Sequence, residues 1–161
     1  MRHAIAEARD AELWPDDCLR PLSEEGSELF RRGARGLRAL GVDVDAVLTS
    51  PCLRAVETAR ILSEEAGWAE AELRDELRPE TPASAAYRVL GAPAEESVAL
   101  VGHEPALGEL ASLLVTGDER AAAFELKKGG VVCIRLPERS VPGDGVLRLS
   151  LSPKVLRRLG G

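Results

Sequence analysis

Histidine is nearly absent from this chain of 161 residues: there are two, at positions 3 and 103, so any imidazole chemistry rests on His3 and His103. Cysteine is scarce as well. Cys18, Cys52 and Cys133 are odd in number, widely spaced and free of any Cys-x-x-Cys pair, which argues against a disulfide framework or a zinc cage and reads as three reduced packing residues. No apolar run approaches the ~20 residues a membrane span requires, and the N-terminus has no secretory hydrophobic region. The reading is a cytoplasmic protein with no membrane partner. Lysine occurs only at Lys127, Lys128 and Lys154, which carries no functional inference. With a formal charge of −6 the chain also lacks the basic excess of a nucleic-acid surface, so none is expected as a partner.

What is present describes an ordinary globule, 45% hydrophobic and 30% charged, of a size that folds as one domain over residues 1–161. Ser23 caps a helix over about Glu24 to Leu40, with Glu24 and Glu25 in its first turn, Phe30, Gly33, Ala34, Leu37 and Leu40 on one face, and Gly41 to end it. Ala46-Val47-Leu48 is a short strand, and Ser50-Pro51 reads as a cap and first helical position for a second helix ending at Gly67. Ser97 to Val101 is a buried strand followed by a helix opened by Pro105. A weaker strand near Leu73, a helix over Ser84 to Leu90, two β-rich runs at Gly130 to Leu136 and Val146 to Leu151, and a helix over Lys154 to Leu159 complete the chain. This alternation predicts a three-layer α/β/α sandwich around a mostly parallel sheet, finished by antiparallel strands. Residues 6–20 read as a loop passing over one end of it.

Ligands in such sheets bind beyond the carboxyl ends of the strands, where the sequence places Arg2-His3, Arg54 and Gly102-His103. A phosphoryl group in transfer spreads negative charge over its oxygens and needs cationic donors and an in-line nucleophile. Arg2 and Arg54 suit the first task through bidentate hydrogen bonding. His3 suits the second if one ring nitrogen is held as a donor by a backbone carbonyl, and His103, cationic near bound phosphate, would steady the transition state. Two histidines 100 positions apart with no further ligands beside them do not suggest a metal site.

Arg2-His3, Arg20-Pro21-Leu22-Ser23, Ser50-Pro51 through Arg54-Ala55 and Thr58-Ala59, and Gly102-His103 resemble, in order, the histidine phosphatase (phosphoglycerate-mutase-like) superfamily, in particular its short SixA-type phosphohistidine phosphatase branch. The resemblance implies a phosphoglycerate-mutase-like fold and a covalent phosphohistidine intermediate on His3. It also implies a phosphate pocket of Arg2, Arg54 and His103 with Arg20 beside it, and no metal or organic cofactor. The implied substrate is phosphohistidine on a protein; small phosphomonoesters or sugar phosphates, or an idle phosphate-binding module, are the alternatives. Three departures stand out. Ala4 replaces the family's glycine after the histidine. The apolar strand that normally leads to the arginine is missing, so a handful of residues is expected upstream of Met1 in the gene product. The leaving-group acid is not fixed: Asp17, which matches an aspartate of the short branch, is the first candidate and Glu80 the second.

Overall fold

Ser23 caps the first helix as its position predicts, its Oγ accepting from the Gly26 N–H, and helix α1 (Glu24–Ala39) buries Phe30, Gly33, Ala34 and Leu37. Gly41 then takes a left-handed φ of 68°, a conformation open to glycine at no steric cost. The computed structural model describes residues 1–90, 96–137 and 141–161; part of the Pro/Gly-rich turn expected between the last two strands lies outside them. The remaining elements are β1 (Ala46–Thr49), α2 (Leu53–Ile61, prolonged by a π-helical turn at Leu62–Ala66), β2 (Ala71–Leu73), α3 (Ala83–Val89), β3 (Val98–Val101), α4 (Ala106–Thr116), β4 (Val131–Arg135), β5 (Val146–Leu151) and α5 (Pro153–Leu159).

Strands β2, β1 and β3 form a parallel sheet in that order, and β4 pairs antiparallel with β5. Because successive strand residues point to opposite faces, Val47 and Val101 enter one core while Leu48 and Leu100 enter the other. The first core also contains Phe30 and Leu37 of α1, Ala55 and Ala59 of α2 and Leu156 of α5. The second contains Ala83, Ala86 and Val89 of α3 and Leu107, Leu110 and Leu114 of α4. Helices on both faces of a parallel sheet make the three-layer sandwich the alternation predicted.

Residues 1–3 occupy the place of a strand through backbone bonds on both edges. On one side the Gly102 N–H donates to the Met1 carbonyl and the His3 N–H to the Gly102 carbonyl; on the other the Arg2 N–H donates to the Gly130 carbonyl and the Gly129 N–H to the carbonyls of Arg2 and His3. A single Arg2–Gly102 bridge is all the regular pairing this makes. It nonetheless fixes the backbone of His3 between β3 and the start of β4.

Two expectations are corrected. Helix α2 starts at Leu53 rather than at Pro51, and its N-cap, Cys52, makes no side-chain capping bond. The Ser50 side chain is wholly buried and its hydroxyl faces His103 instead. Second, Cys18 and Cys52 are joined by a disulfide, and only Cys133 is a free thiol. Sequence spacing could not show this, because the pairing depends on how residues 6–20 fold back over the start of α2.

Candidate active site

His3 is buried, and its Nδ1 lies 2.7 Å from the Ala4 carbonyl. A carbonyl can only accept, so Nδ1 carries the proton and Nε2 keeps its lone pair. Burial above all, with His103, Arg54 and Arg2 nearby, pushes the His3 pKa down to about 3. The ring is therefore neutral at pH 7, with a lone pair on Nε2 that could act as a nucleophile. Its backbone is tied to helix α2 by Thr58, whose Oγ1 accepts from the Ala4 N–H (2.9 Å) and donates to the Arg54 carbonyl (2.6 Å).

Three guanidinium groups gather here. Arg54 has 3% of its side chain exposed; its Nη1 donates to the Asp17 carbonyl (2.6 Å) and its Nη2 lies 3.2 Å from the Asp17 carboxylate. Arg2 donates from Nη1 to the Leu126 carbonyl (3.0 Å). Arg20 is paired with Asp17 at 2.8 Å and donates to the Glu7 carbonyl at 2.7 Å. The Nε atoms of Arg2 and Arg54 are buried with no acceptor among the described residues. Unanswered buried donors on two arginines are expensive unless an acceptor is supplied, and an oxyanion such as phosphate is the acceptor this donor set suits.

His103 completes the group, its ring centroid 5.0 Å from that of His3 and tilted by 55°. Its Nε2 lies 3.0 Å from Ser50 Oγ. The sequence reading made this ring a cation near bound phosphate. Without an anion in the site, burial first and then the charges of Arg54 and Arg2 bring its pKa down to about 3, so the ring is neutral at pH 7. A phosphate would supply opposing charge and raise that pKa.

The carboxylates divide differently from expectation. Hydrogen bonding from Arg20, with the nearby charge of Arg54, lowers the Asp17 pKa to about 2 despite some desolvation. Asp17 is thus an anion that orders two arginines, the wrong protonation state for a proton donor at pH 7. Glu80 is exposed in the turn beyond Leu77. Glu104, whose pKa is raised by burial, is held by backbone N–H groups of Leu126 and Gly108.

Sequence reasoning overlooked three residues. Thr58 lay inside the quoted motif, but its link to Ala4 is invisible without the fold. Ser50 was taken for a helix cap. Lys128, next to Gly129 on the hairpin approach, lies in the field of Arg2, Arg20 and Arg54; partial desolvation and then these charges push its pKa down. The Gly129-Gly130 pair after it, which lets the backbone close on Arg2 and His3, was the available signal.

Comparison with known proteins agrees with this geometry. Residues 1–79 match the family profile of the histidine phosphatase superfamily (branch 1). An uncharacterised protein of Picosynechococcus sp. is 32% identical over 161 residues, covering 97% of this chain and 96% of its own. Among solved structures, the protein histidine phosphatase SixA complexed with tungstate is 28% identical, with a TM-score of 0.81 over 97% of this chain and 96% of that one. A protein assigned as phosphohistidine phosphatase SixA from Agrobacterium tumefaciens shares the fold at 21% identity, with a TM-score of 0.78 over 95% of both chains. With the profile match, the full-length relative and the shared fold in agreement, the chain belongs to the histidine phosphatase superfamily.

Proposed function

We propose that the protein is a phosphatase that removes phosphate from phosphohistidine on proteins, with His3 as nucleophile, Arg2, Arg54 and His103 as phosphate ligands, and Arg20 at the edge of the pocket. The observation that carries the reading is the neutral His3 ring, its Nδ1 proton engaged by the Ala4 carbonyl and its Nε2 left beside Arg2, Arg54 and His103.

In the first step the Nε2 lone pair forms a bond to phosphorus as the bond from phosphorus to the leaving nitrogen breaks. The leaving imidazole keeps that electron pair and departs neutral because its other ring nitrogen takes a proton from solvent, so no acid need sit at the breaking bond. Arg2 and Arg54 offset the charge on the transferring group. In the second step water attacks the phosphorus of phospho-His3, the P–N bond breaks, inorganic phosphate leaves and His3 returns to its starting form. An alkoxide leaving group would require a proton donor, and Asp17, held ionised by Arg20, does not supply one as it stands. This favours phosphoramidates over phosphate esters, as does the likeness to SixA. A cytoplasmic location is part of the proposal, and in that reducing compartment the Cys18–Cys52 disulfide would have to resist reduction; the described residues hold no helix long and apolar enough to cross a membrane.

The test is to incubate the protein with a labelled phosphodonor and quench in alkali, where phosphoramidates persist. Label should accumulate on the wild type and vanish in His3→Ala; label surviving in that variant would overturn the nucleophile. The value of kcat/KM should be higher for a phosphohistidine peptide than for a matched phosphoserine peptide or a sugar phosphate. Equal or better turnover of the sugar phosphate would assign the site to small phosphomonoesters, and binding of phosphate without turnover of any of them would make it a binding module.

A further inference from the structure

Ser50 sits directly behind His103, and its hydroxyl has few choices. The residue has no exposed surface, so bulk water does not reach it. Its Oγ already accepts from the Cys52 N–H at 3.3 Å, and the only other polar atom hydrogen-bonded to it among the described residues is Nε2 of His103, at 3.0 Å. If Nε2 carried a proton and donated it to Oγ, the hydroxyl proton would be left buried without an acceptor. The arrangement that leaves nothing unanswered has the hydroxyl donating to Nε2. Nε2 must then be unprotonated. In a neutral ring the one N–H lies on Nδ1, which has no hydrogen-bond partner among the described residues and belongs to a ring centred 5.0 Å from the nucleophile's.

We propose that Ser50 is a positioning residue that holds His103 as the neutral Nδ1–H tautomer, so that the ring presents an uncharged hydrogen-bond donor to the phosphoryl group handled by His3. This inference rests on the proposed function for its catalytic meaning but not for its geometry. It resolves a difficulty: among three guanidinium groups a cationic His103 would be repelled, whereas a neutral ring with a fixed tautomer can donate without adding charge. The neutrality of both rings follows from the same burial and the same arginines. His3, bonded to Ala4, is held in the Nδ1–H tautomer too. The two rings thus carry the same protonation pattern and put it to opposite uses: His3 uses its bare Nε2, His103 its protonated Nδ1.

Nitrogen-15 NMR of the wild-type protein near pH 7, with no substrate present, reads the tautomers directly, and with two histidines in the chain the assignment needs only one His→Gln variant. His103 is expected to show a protonated Nδ1 and a bare Nε2; a protonated Nε2 would overturn the proposal whether or not the protein is a phosphatase. In Ser50→Ala the ring is free to adopt the Nε2–H form, which turns a lone pair toward the phosphate. Its kcat/KM for a phosphohistidine peptide should fall by about 100-fold at neutral and alkaline pH, the scale of one lost transition-state donor. Nitrogen-15 spectra of the same variant should show His103 with its Nε2 protonated. Ser50→Thr, which keeps the hydroxyl, should retain the wild-type tautomer and pH profile. A Ser50→Ala variant that loses activity while His103 keeps the Nδ1–H tautomer would mean that Ser50 is only structural. If Ser50→Ala does not fold, the wild-type tautomer decides. Absence of phosphatase activity in a wild type that shows the expected tautomer would count against the proposed function and not against this geometry.

Discussion

Asp17 takes its character from its neighbours more than from its own chemistry. A carboxylate two bonds from an arginine fork is an anchor; the same group in an apolar wall would be an acid. With the Asp17 pKa drawn down to about 2 by Arg20 and Arg54, replacing it by asparagine should weaken the hold on both guanidinium groups and slow phosphohistidine and phosphoserine peptides by the same factor. A selective loss on the ester, read as a change in the ratio of the two kcat/KM values, would restore Asp17 as the acid. Arg54→Lys should lower kcat by about 100-fold or more, because a single ammonium cannot reproduce a planar fork that reaches both Asp17 and an oxyanion. Arg2, His3, Arg54 and His103 were legible as candidates because a pairing of arginine with histidine at strand ends has few other uses. The state of each was not. Charge on His103 and on Asp17 is set by burial and by through-space arginines, and a linear sequence contains neither quantity.

Helices announce themselves when a cap, a period and a stop agree, as Ser23, the Phe30–Leu37 stripe and Gly41 do for α1. They are misread when the apparent cap has another employer, as at Ser50-Pro51, where the hydroxyl turns to His103 and the helix begins later. What sequence conceals about α1 is how closely its first turn meets the chain that carries the nucleophile. A Cβ on Gly26 would run into the Ile5 carbonyl, a backbone atom that cannot step aside, whereas one on Gly33 would meet only Leu156 Cβ at 3.8 Å and Phe30 at 4.0 Å. Gly26→Ala should therefore destabilise the fold by about 1 to 3 kcal/mol and also slow phosphorylation of His3, since residues 4 and 5 must shift. Gly33→Ala, a helix-interior change with room to spare, should be neutral or stabilising by up to about 1 kcal/mol. Urea unfolding of the pair separates the two effects, and a tolerant Gly26→Ala would show the contact to be compliant.

The whole molecule should answer to acid through its histidines. His3 and His103 have ordinary pKa values of 6.5 when the chain is unfolded and about 3 when it is folded. Below 6.5 the unfolded chain binds protons that the folded one refuses, so the stability that burying neutral rings retains at pH 7 is lost progressively as the pH falls toward 3. Asp17, lowered from 3.8 to about 2, adds a loss of the same sign at the acid end. Urea midpoints should fall between about pH 7 and about pH 4, and in His103→Gln the fall should be shallower over the same span. Equal slopes in the two proteins would mean that His103 titrates normally. The three-layer plan itself was the most legible property of the chain, since alternating strands and helices of this length leave few other architectures, while the path of residues 6–20 across the sheet ends was written only as an absence of period.

That path has a topological result. By joining Cys18 to Cys52, the disulfide closes a covalent ring that contains all of α1 and β1, with one tail leaving toward His3 and the other starting at Leu53 and carrying Arg54 and His103. The separation of 34 residues corresponds, in the chain-entropy account, to about 4 kcal/mol of constraint on the unfolded ensemble. The more specific effect is on partial opening: α1 can fray or detach from the core without lengthening the tether between Asp17 and Arg54, because the clasp lies one residue from the first and two from the second. Segments far apart in sequence thus hold the proposed anion-binding end of the sheet together independently of the helix that separates them.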